Sequence, residues 1–470
     1  MKVCLIVEGA YPYVNGGVSS WLQQMLLSMP EVEFVIQVIT AGTEGKRDFK
    51  YKIPDNVTAI QEIHLSEDDI VTRKNNKKLK MTRKEYEAFE SLVFGKDIDW
   101  NTIFFFFQNR EVSLNSLFGG EDFLNISTKY YKTNFERVVF SDFLWTMRSM
   151  YLPLFTILKH PGMEADIYHA VSTGYAGVFA SMEKAVYGKK MILTEHGIYT
   201  REREEEIIKA GWVKNIYKDL WITHFRKLSL CSYEEADIVT SLFKDAKNFQ
   251  IELGCSPEKA YIIPNGVMIN KFQNLAPKEK EDTYINIGAV LRVTPIKDVK
   301  TLITAFSIAK LNCNRLKLWI MGPLDESEQY ANECMQLVEE LDIKDVIFTG
   351  MVNVLDYMGK MDIIVLSSIS EGQPLSILEA FSAHKPVIAT NVGNCRGLIE
   401  GDIDTLGQAG YVVQVMNPEK MAQAILKLSK DEQLRINMGE IGYQRVTKNY
   451  SAEDSYRRYM DAYLTISERM

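Results

Sequence analysis

The sequence predicts an α/β protein with two parallel sheets, each covered by helices. The chain has 470 residues, and two parts of it repeat the same order of short apolar strands and amphipathic helices. A charged, turn-rich segment separates the two parts. Single cores stop growing beyond roughly 250–300 residues, and short buried strands that alternate with helices are typical of parallel sheets. We therefore predict two Rossmann-like domains.

The first part begins with the apolar run VCLIV, followed by the loop YPYVNGG and the helical pattern VSSWLQQMLLSM. Further runs predicted as strands are EFVIQVIT, ADIYHAV, KKMILTEHG and ADIVTSL. Residues 65–160 lack this rhythm and are predicted to be a largely helical insertion. The insertion contains a basic cluster, typical of a solvated face, with contact to an anionic membrane surface or polymer as the alternative. The cluster comprises Arg73, Lys74, Lys77, Lys78, Lys80, Arg83 and Lys84.

The second part contains the predicted strands YINIGAV, LKLWIMG, DVIFTG, MDIIVLSS and KPVIATN. IIPNGVMINKFQ, residues 262–273, and the charged run after it are typical of a linker, because a Pro-Asn-Gly turn follows an apolar strand. We predict an N-terminal domain over residues 1–272 and a C-terminal domain over 280–449. A C-terminal helix over 450–470 is expected to pack back on the N-terminal domain.

Composition bounds the class of protein. A hydrophobic content of 46% and a charged content of 25% describe an ordinary folded protein, and a net charge of -8 argues against a nucleic-acid partner. The six cysteines lack paired metal-ligand spacing and are predicted to be free thiols. The opening apolar run is too short for a signal peptide, and later runs are too short or interrupted to span a membrane. We therefore expect a cytoplasmic protein.

Adjacent glycines, Gly16 and Gly17, stand directly before the first predicted helix. Glycine lets the backbone approach a ligand closely, and the amides at a helix N-terminus favour an anion. The alternative is a tight turn. The spacing is not the G-x-G-x-x-G pattern of nicotinamide-cofactor sites.

A pair of cations, Arg292 and Lys297, follows the predicted strand YINIGAV in the loop LRVTPIK. Two cations at the carboxyl end of a parallel strand can neutralise a diphosphate. Surface solvation is the alternative for each.

The segment SEGQPLSILEA follows the predicted strand MDIIVLSS. Gly372 permits close approach, and Leu375 and Ser376 supply free backbone donors near the helix start. Glu371 lies in the loop and Glu379 lies further along the helix, where a carboxylate can accept hydrogen bonds from two adjacent hydroxyls. Helix chemistry is the alternative, because acids near an N-terminus complement the helix dipole.

Together these motifs resemble the retaining glycosyltransferases of family 4, which have the GT-B fold. The resemblance rests on EGQPLSILE, LRVTPIK, NGGVSS, IPNGV and PVIATNVGNCRGLIEG, whose order and spacing together are specific. It covers nearly the whole chain outside the insertion. The segments EGAYPYVNGGVSSW, TEHGIYTRERE and SSISEGQPLSILEA are similar to the cytoplasmic glycosyltransferases of Pel exopolysaccharide biosynthesis.

The resemblance implies a nucleotide-sugar donor in an interdomain cleft, held mainly by the C-terminal domain. It implies that Arg292 and Lys297 bind the diphosphate. Glu379 would bind the ribose, and Glu371 would bind the hydroxyls of the transferred sugar. Leu375 and Ser376 would add backbone contacts.

On the N-terminal side, the resemblance brings Gly16 and Gly17 near the phosphates and the acceptor. Two histidines compete for the contact with the donor sugar, His169 in DIYHAV and His196 in TEHG, and each could instead be a hydrogen-bonded core histidine. The resemblance also places Arg201 and Arg203 at the acceptor entrance. The alternative is that both arginines pair with nearby glutamates along a helix.

The implied reaction transfers a hexosyl unit from a UDP-sugar to a growing exopolysaccharide, with retention and without a metal or other cofactor. Cations and the helix dipole would stabilise the leaving diphosphate. The D-x-D strings Asp97–Asp99 and Asp402–Asp404 are interpreted as solvated loops rather than metal sites. The implied partner is a membrane-embedded polysaccharide synthesis or export complex, which would put the protein at the inner face of the membrane.

One departure from the family concerns Asp298, where many relatives have glycine after the lysine. The departure leaves the cation of Lys297 in place and puts the shape of the loop in question. Two other classes of function stay open: a catalytically silent nucleotide-sugar sensor or scaffold of an export complex, and a glycan phosphorylase or epimerase. Turnover of a nucleotide sugar separates the enzyme from the sensor, while phosphate release and cofactor absorbance test for the phosphorylase or epimerase.

Overall fold

A computed structural model describes residues 1–9, 11–14, 16–41, 48–65 and 79–468. The chain divides into two compact units. The first unit comprises Met1–Ile262 with Tyr459–Met470, and the second comprises Ile263–Arg458.

The sheet of the first unit has seven strands, all paired in parallel, in the order β3-β2-β1-β4-β5-β6-β7. Each run that the sequence predicts as a strand in this part forms one, and β3 and β7 are additional. The strands are β1 (Lys2–Glu8), β2 (Glu33–Thr40), β3 (Val57–His64), β4 (Ile167–Ala170), β5 (Lys190–Glu195), β6 (Ile238–Ser241) and β7 (Ala260–Ile262).

Ten helices accompany this sheet within the described residues. Five of them, α2 to α6, lie where the sequence lacks the strand and helix rhythm. The helices are α1 (Gly17–Ser28), α2 (Arg83–Phe94), α3 (Trp100–Asn109), α4 (Leu114–Phe118), α5 (Glu121–Asn134), α6 (Phe140–Lys159), α7 (Tyr175–Tyr187), α8 (Tyr199–Lys209), α9 (Asn215–Glu235) and α10 (Lys244–Glu252).

The helices α2 to α6 form a layer rich in aromatic side chains. Helix α2 begins with a capping box, in which Thr82 and Glu85 satisfy each other's backbone amides. Phe89 and Phe155 are fully buried, with ring centroids 5.7 Å apart. Four residues of the basic cluster, Arg73, Lys74, Lys77 and Lys78, lie outside the described residues.

The sheet of the second unit has six parallel strands in the order β10-β9-β8-β11-β12-β13. The predicted strands are all present, and β13 is additional. The strands are β8 (Ile285–Val290), β9 (Leu316–Met321), β10 (Val346–Gly350), β11 (Ile363–Leu366), β12 (Val387–Thr390) and β13 (Gly410–Val413). The central strands β11 and β12 are buried along their whole length, as expected for strands covered on both faces.

Seven α-helices follow the linker within the part of the chain that the structure describes. They are α11 (Val299–Asn312), α12 (Glu328–Glu340), α13 (Leu355–Met358), α14 (Leu375–Ser382), α15 (Pro418–Lys430), α16 (Glu432–Asn449) and α17 (Ala452–Ser467). The residues of α17 from Tyr459 onward belong to the first unit. No helix among the described residues is both long and apolar enough to cross a membrane.

Candidate active site

Two loops meet at the carboxyl edge of the second sheet. The order of strands places β8 next to β11, so the loops that leave these strands are neighbours. The Ile369 amide donates to the Ile296 carbonyl at 2.8 Å, and the Ser367 hydroxyl donates to the Lys297 carbonyl at 2.7 Å. These bonds join two segments that lie 70 residues apart in the chain, as measured from Lys297 to Ser367.

Lys297 and Glu371 form an ion pair at this edge. The Lys297 ammonium lies 2.5 Å from Oε1 of Glu371, and the Ser368 hydroxyl donates to the same oxygen at 2.6 Å. The side chains are only 16% and 12% exposed. Because an ammonium has three donors and a carboxylate has two oxygens, each group keeps capacity to bind a further polar ligand.

Arg292, which the sequence pairs with Lys297, has a different partner in the structure. Its guanidinium donates to Glu326 at 2.7 Å, and the two side chains are 52% and 39% exposed. The two cations therefore share a loop but each is held by its own carboxylate. An exposed ion pair of this kind is weak, so Arg292 can leave Glu326 for a stronger anion at little cost.

The loop between Lys297 and α11 explains how the chain accommodates the departure from the family pattern. Asp298 has a φ of 46°, in the left-handed region that favours glycine. Its side chain compensates by accepting from the Thr301 amide at 3.4 Å as the N-cap of α11. Aspartate is among the residues that tolerate this conformation through such local bonds.

The start of α14 has free backbone donors. Its N-cap is Pro374, which offers no side-chain oxygen to the first turn, so the amides of Leu375 and Ser376 lack a side-chain cap. Gly372 precedes this turn, and its carbonyl accepts from the Asn394 amide at 2.8 Å. The opening of the helix is thus an anion-binding geometry of the kind the sequence predicts.

Glu379 lies one turn further along α14. Burial raises the pKa of its carboxyl group, and the positive charge of Lys271 opposes this shift. Lys271 belongs to a short 3-10 helix, Ile269–Phe272, that packs against α14. A partly buried acid whose charged form is favoured only by the charge of Lys271 is suited to accept from ligand hydroxyls.

Gly393 is a residue of this site that sequence reasoning missed. A Cβ on Gly393 would lie 2.2 Å from the Gly372 carbonyl oxygen and 2.3 Å from that of Glu371, and its φ is +49°. Any side chain here would displace the Glu371 loop. The signal was the glycine in NVGN directly after a buried strand.

In the first unit, Gly16 and Gly17 open helix α1 without a side-chain cap. A Cβ at either position would meet no atom within 4 Å, so neither glycine is required by packing inside the unit. Gly16 has a φ of 178°, which any residue adopts. The structure therefore shows open space beside the two glycines at the start of α1, where a ligand could reach the backbone amides.

His169 is enclosed by its own unit. Its side chain has no exposed surface, and its ring nitrogens bond to the Tyr463 hydroxyl at 2.6 Å and the Thr194 hydroxyl at 2.8 Å. Burial lowers its pKa to about 3. The structure places His169 in the alternative role that the sequence left open, that of a hydrogen-bonded core histidine.

His196 follows the carboxyl end of β5 and has a different environment. Its ring lies edge-on to Trp21, with centroids 4.5 Å apart, and burial lowers its pKa to about 4. Its Nε2 atom has no hydrogen-bond partner. A neutral imidazole with a free nitrogen can bind a ligand hydroxyl.

Arg201 and Arg203 lie in the first turns of α8 and both pair with glutamates of the same helix. Arg201 lies 3.7 Å from Glu205, and Arg203 lies 2.8 Å from Glu206 and packs over the Tyr199 ring. These are the i,i+4 and i,i+3 pairs expected as the alternative from the sequence. Arg203 also lowers the pKa of Glu8, a second residue that sequence reasoning missed.

Glu8 lies at the end of β1. Its Oε1 accepts from the Ala176 amide at the start of α7, at 2.8 Å. Burial raises its pKa to about 7, against the hydrogen bond from Ala176 and the charge of Arg203. The sequence signal was an acid at the end of an apolar strand, immediately before the glycine loop.

In the D-x-D string at Asp402–Asp404, Asp402 is exposed as predicted, but the prediction of a solvated loop is wrong for Asp404. The Asp404 side chain is 2% exposed and receives two bonds from Arg445, from Nε at 2.8 Å and Nη2 at 2.9 Å. Arg445 also donates to the carbonyls of Leu398 and Ile399. The string therefore ties a π-helical turn, Gly397–Gly401, to helix α16. Among the described residues, no cluster of three histidine, cysteine or acidic side chains could hold a metal ion.

Comparison with known families places each unit. Residues 1–258 match the family described as Domain of unknown function (DUF3492). The chain belongs to the DUF3492 family. In this DUF3492 protein, residues 269–445 match a second family, Glycosyl transferases group 1. The Lys297, Glu371 and Glu379 site lies entirely within that second match.

Curated relatives of the DUF3492 chain include a glycosyltransferase and a synthase. It is 28% identical over 236 residues to the capsular polysaccharide biosynthesis glycosyltransferase CapM of Staphylococcus aureus, covering 48% of this chain and 58% of CapM. It is 27% identical over 246 residues to N-acetyl-alpha-D-glucosaminyl L-malate synthase of Bacillus anthracis, covering 50% of this chain and 61% of that protein. The alignments thus span less than two thirds of these relatives.

Solved structures share the fold over nearly the whole DUF3492 chain. Anabaena HepE in complex with UDP has a TM-score of 0.65 at 14% identity, covering 99% of this chain and 100% of HepE. The sucrose-phosphate synthase of Thermosynechococcus elongatus has a TM-score of 0.61 at 14% identity, with both chains fully covered at 100%. The predicted GT-B fold is confirmed.

Proposed function

We propose that this protein is a retaining glycosyltransferase that moves a hexosyl unit from a UDP-sugar to a growing exopolysaccharide. The observation that carries the proposal is the Lys297–Glu371 pair at the carboxyl edge of the second sheet, beside the uncapped start of α14. The group 1 glycosyl transferase match over residues 269–445 and the fold shared with the UDP complex of HepE support it.

The chemistry required is stabilisation of a leaving diphosphate. As the bond from sugar to phosphate breaks, negative charge grows on the phosphate oxygens and positive charge on the sugar. Lys297, Arg292 and the first amides of α14 supply donors for the oxygens, each contribution being worth about 3 kcal/mol when well placed. We propose that these groups suffice without a dedicated metal. Turnover that persists in EDTA is the expected result.

The two acids have separate tasks in this proposal. Glu379, whose pKa is raised by burial, accepts from the ribose hydroxyls. Glu371, already held by Lys297 and Ser368, accepts from hydroxyls of the transferred sugar. Before the donor arrives, the ion pair with Lys297 orients the Glu371 carboxylate. When the diphosphate binds, it draws Lys297 toward the phosphates.

Of the two candidate histidines, His169 and His196, we assign the sugar contact to His196. Its Nε2 is unpartnered, whereas both ring nitrogens of His169 are occupied. Retention follows the family pattern, in which the leaving phosphate helps to deprotonate the acceptor on the same face of the sugar. We further propose that the acceptor is an exopolysaccharide of Pel type and that the protein works with a membrane-embedded synthesis or export complex.

The test is a donor screen with the purified full chain. UDP-glucose, UDP-galactose and their N-acetylated forms are compared by thermal shift, and UDP release is then measured with each stabilising donor. We expect one donor to stabilise the protein and to be hydrolysed slowly. Binding of a donor without any UDP release, with or without polysaccharide, would favour a silent sensor or scaffold instead.

The matched variants are Glu379→Ala and Glu419→Ala. Glu419 is an exposed acid in the first turn of α15 and lies outside the site. We expect Glu379→Ala to abolish donor stabilisation and UDP release while Glu419→Ala retains both. Equal behaviour of the two variants would remove the assignment of Glu379.

A further inference from the structure

A cavity in the first unit is lined by aromatic side chains that the proposed reaction does not use. It lies between α6 and the start of α9 and has a volume of about 220 Å³. A water molecule takes about 30 Å³, so the cavity has room for roughly seven waters or one sugar ring. Its walls include Trp145, Trp212, Trp221 and Tyr217.

Two of the three tryptophans of the cavity are exposed. Trp145 is 65% exposed and Trp212 is 70% exposed, values unusual for the largest apolar side chain. Trp212 is held in place because it packs edge-on against the buried Trp221, with ring centroids 5.4 Å apart and an interplanar angle of 86°. A fixed, exposed indole face can stack on the C–H face of a sugar ring.

Tyr217 supplies a polar group that lacks a partner. The residue is 3% exposed and lines the cavity, yet its hydroxyl makes no hydrogen bond. Buried tyrosine hydroxyls normally find a partner, since an unsatisfied one costs roughly 1–3 kcal/mol. The unpaired hydroxyl therefore points to a ligand that carries hydrogen-bonding groups.

The charges of the cavity cancel each other. Lys214 donates to Asp142 at 2.6 Å across the rim, and Thr146 and Ser149 add hydroxyls. A neutral, polar ligand fits this balance better than an anion does. A lipid surface fits less well, because it binds protruding apolar side chains and cations rather than a concave, polar-rimmed cavity.

We propose that this cavity binds a sugar unit of the polysaccharide acceptor, at a distance from the reaction. The proposal rests on the proposed function, which makes a polysaccharide the acceptor. Within the first unit, helix α8 begins three residues after His196 and reaches Lys209, three residues before Trp212. The eleven residues of α8 span about 16 Å, the length of a few sugar units. The site would hold the chain while its end is extended.

The binding test uses neutral oligosaccharides of six residues, one built from glucose and one from N-acetylglucosamine. Saturation-transfer NMR and calorimetry are applied to the full chain and to Trp212→Ala, Tyr217→Phe and Phe249→Ala. Phe249 is the control, being 43% exposed on α10, outside the cavity. We expect binding to weaken at least tenfold in Trp212→Ala and severalfold in Tyr217→Phe, with Phe249→Ala unchanged.

Three outcomes overturn the inference: no binding of either oligosaccharide by the wild-type chain, equal binding by Trp212→Ala, or a Trp212-dependent association with phosphatidylglycerol vesicles in place of sugar binding. Donor binding and UDP release by the wild-type chain are measured separately. If donor activity is present and oligosaccharide binding is absent, the inference fails and the proposed function stands. If oligosaccharides bind through Trp212 and no donor is bound, the proposed function fails and the cavity remains a glycan site.

Discussion

The two units treat buried ionisable groups in opposite ways. In the second unit such groups pair: Lys297 with Glu371, and Arg445 with Asp404. The hydrogen bonds from Arg445 lower the pKa of Asp404, so this carboxylate stays charged. In the first unit, burial dominates: it raises the pKa of Glu183 to about 8 and lowers that of His224 to about 3.

This difference decides which buried side chains stay ionised in each unit. Paired charges at strand ends provide a polar surface ready for a diphosphate, whereas isolated buried groups become neutral and pack as part of the core. Glu379 is an exception in the second unit, because burial raises its pKa as in the first. An exception of this kind is expected where a ligand completes the hydrogen bonds.

The largest effect should come from breaking the Arg445–Asp404 pair. Asp404→Ala leaves a guanidinium without exposed surface and without its carboxylate, which typically destabilises by about 3–5 kcal/mol. Asp402→Ala, an exposed residue of the same string, should change stability by less than about 0.5 kcal/mol. Hydrogen exchange of residues 397–407 and urea unfolding would measure both. Equal costs would contradict the paired character of the second unit.

The next effect concerns the two cations of the β8 loop. Lys297→Met removes the nearly buried cation and should lower kcat by about 10²–10³-fold, the range seen when a transition-state donor is lost. Arg292→Ala should also lose turnover, but by less, because Arg292 is half exposed and screened. UDP release at saturating donor measures both, with melting temperatures as the check on folding. A larger loss in Arg292→Ala would reverse this ranking.

A pH-dependent effect is expected at His224, whose ring nitrogens have no partners among the surrounding aromatic rings. Its folded pKa of about 3 lies below the unfolded value of about 6.5. Between these values the unfolded chain binds a proton that the folded chain does not, so stability falls as pH falls. His224→Phe removes this loss.

The gain in stability of His224→Phe over wild type should therefore grow below pH 6.5 by about 1.4 kcal/mol per pH unit. It should be constant between pH 7.5 and 9, which serves as the internal control. Urea unfolding followed by tryptophan fluorescence reports mainly on the first unit, which holds Trp21, Trp100, Trp145, Trp212 and Trp221. A gain that does not change with pH would show that His224 is not kept neutral by burial.

The smallest effect separates structure from catalysis at His169. Tyr463→Phe deletes the hydroxyl that bonds to the His169 ring and should cost about 1 kcal/mol of unfolding free energy. The KM for the donor should not change, since Tyr463 is fully enclosed. A raised KM with unchanged stability would return His169 to the donor site.

Much of the fold and part of the site could be predicted from the sequence. Strand runs, the two-sheet organisation and the short stretch from Glu371 to Glu379 depend on local periodicity and local turn chemistry, and these are visible in consecutive residues. Asp404 was misjudged because its partner, Arg445, lies 41 residues later. The aromatic cavity was missed because α6 and α9 contribute to it from different parts of the chain.

The sequence by itself determined the α/β class, the two parallel sheets and which polar residues end the strands, since apolar spacing and glycine or proline turns act over short distances. Only the tertiary structure decided the state of those residues: that Lys297 pairs with Glu371, that His169 is enclosed by Tyr463 and Thr194, and that the pKa of the partly buried Glu379 is raised. The physical reason is that burial and pairing set the charge of a side chain, and both depend on residues far away in the chain.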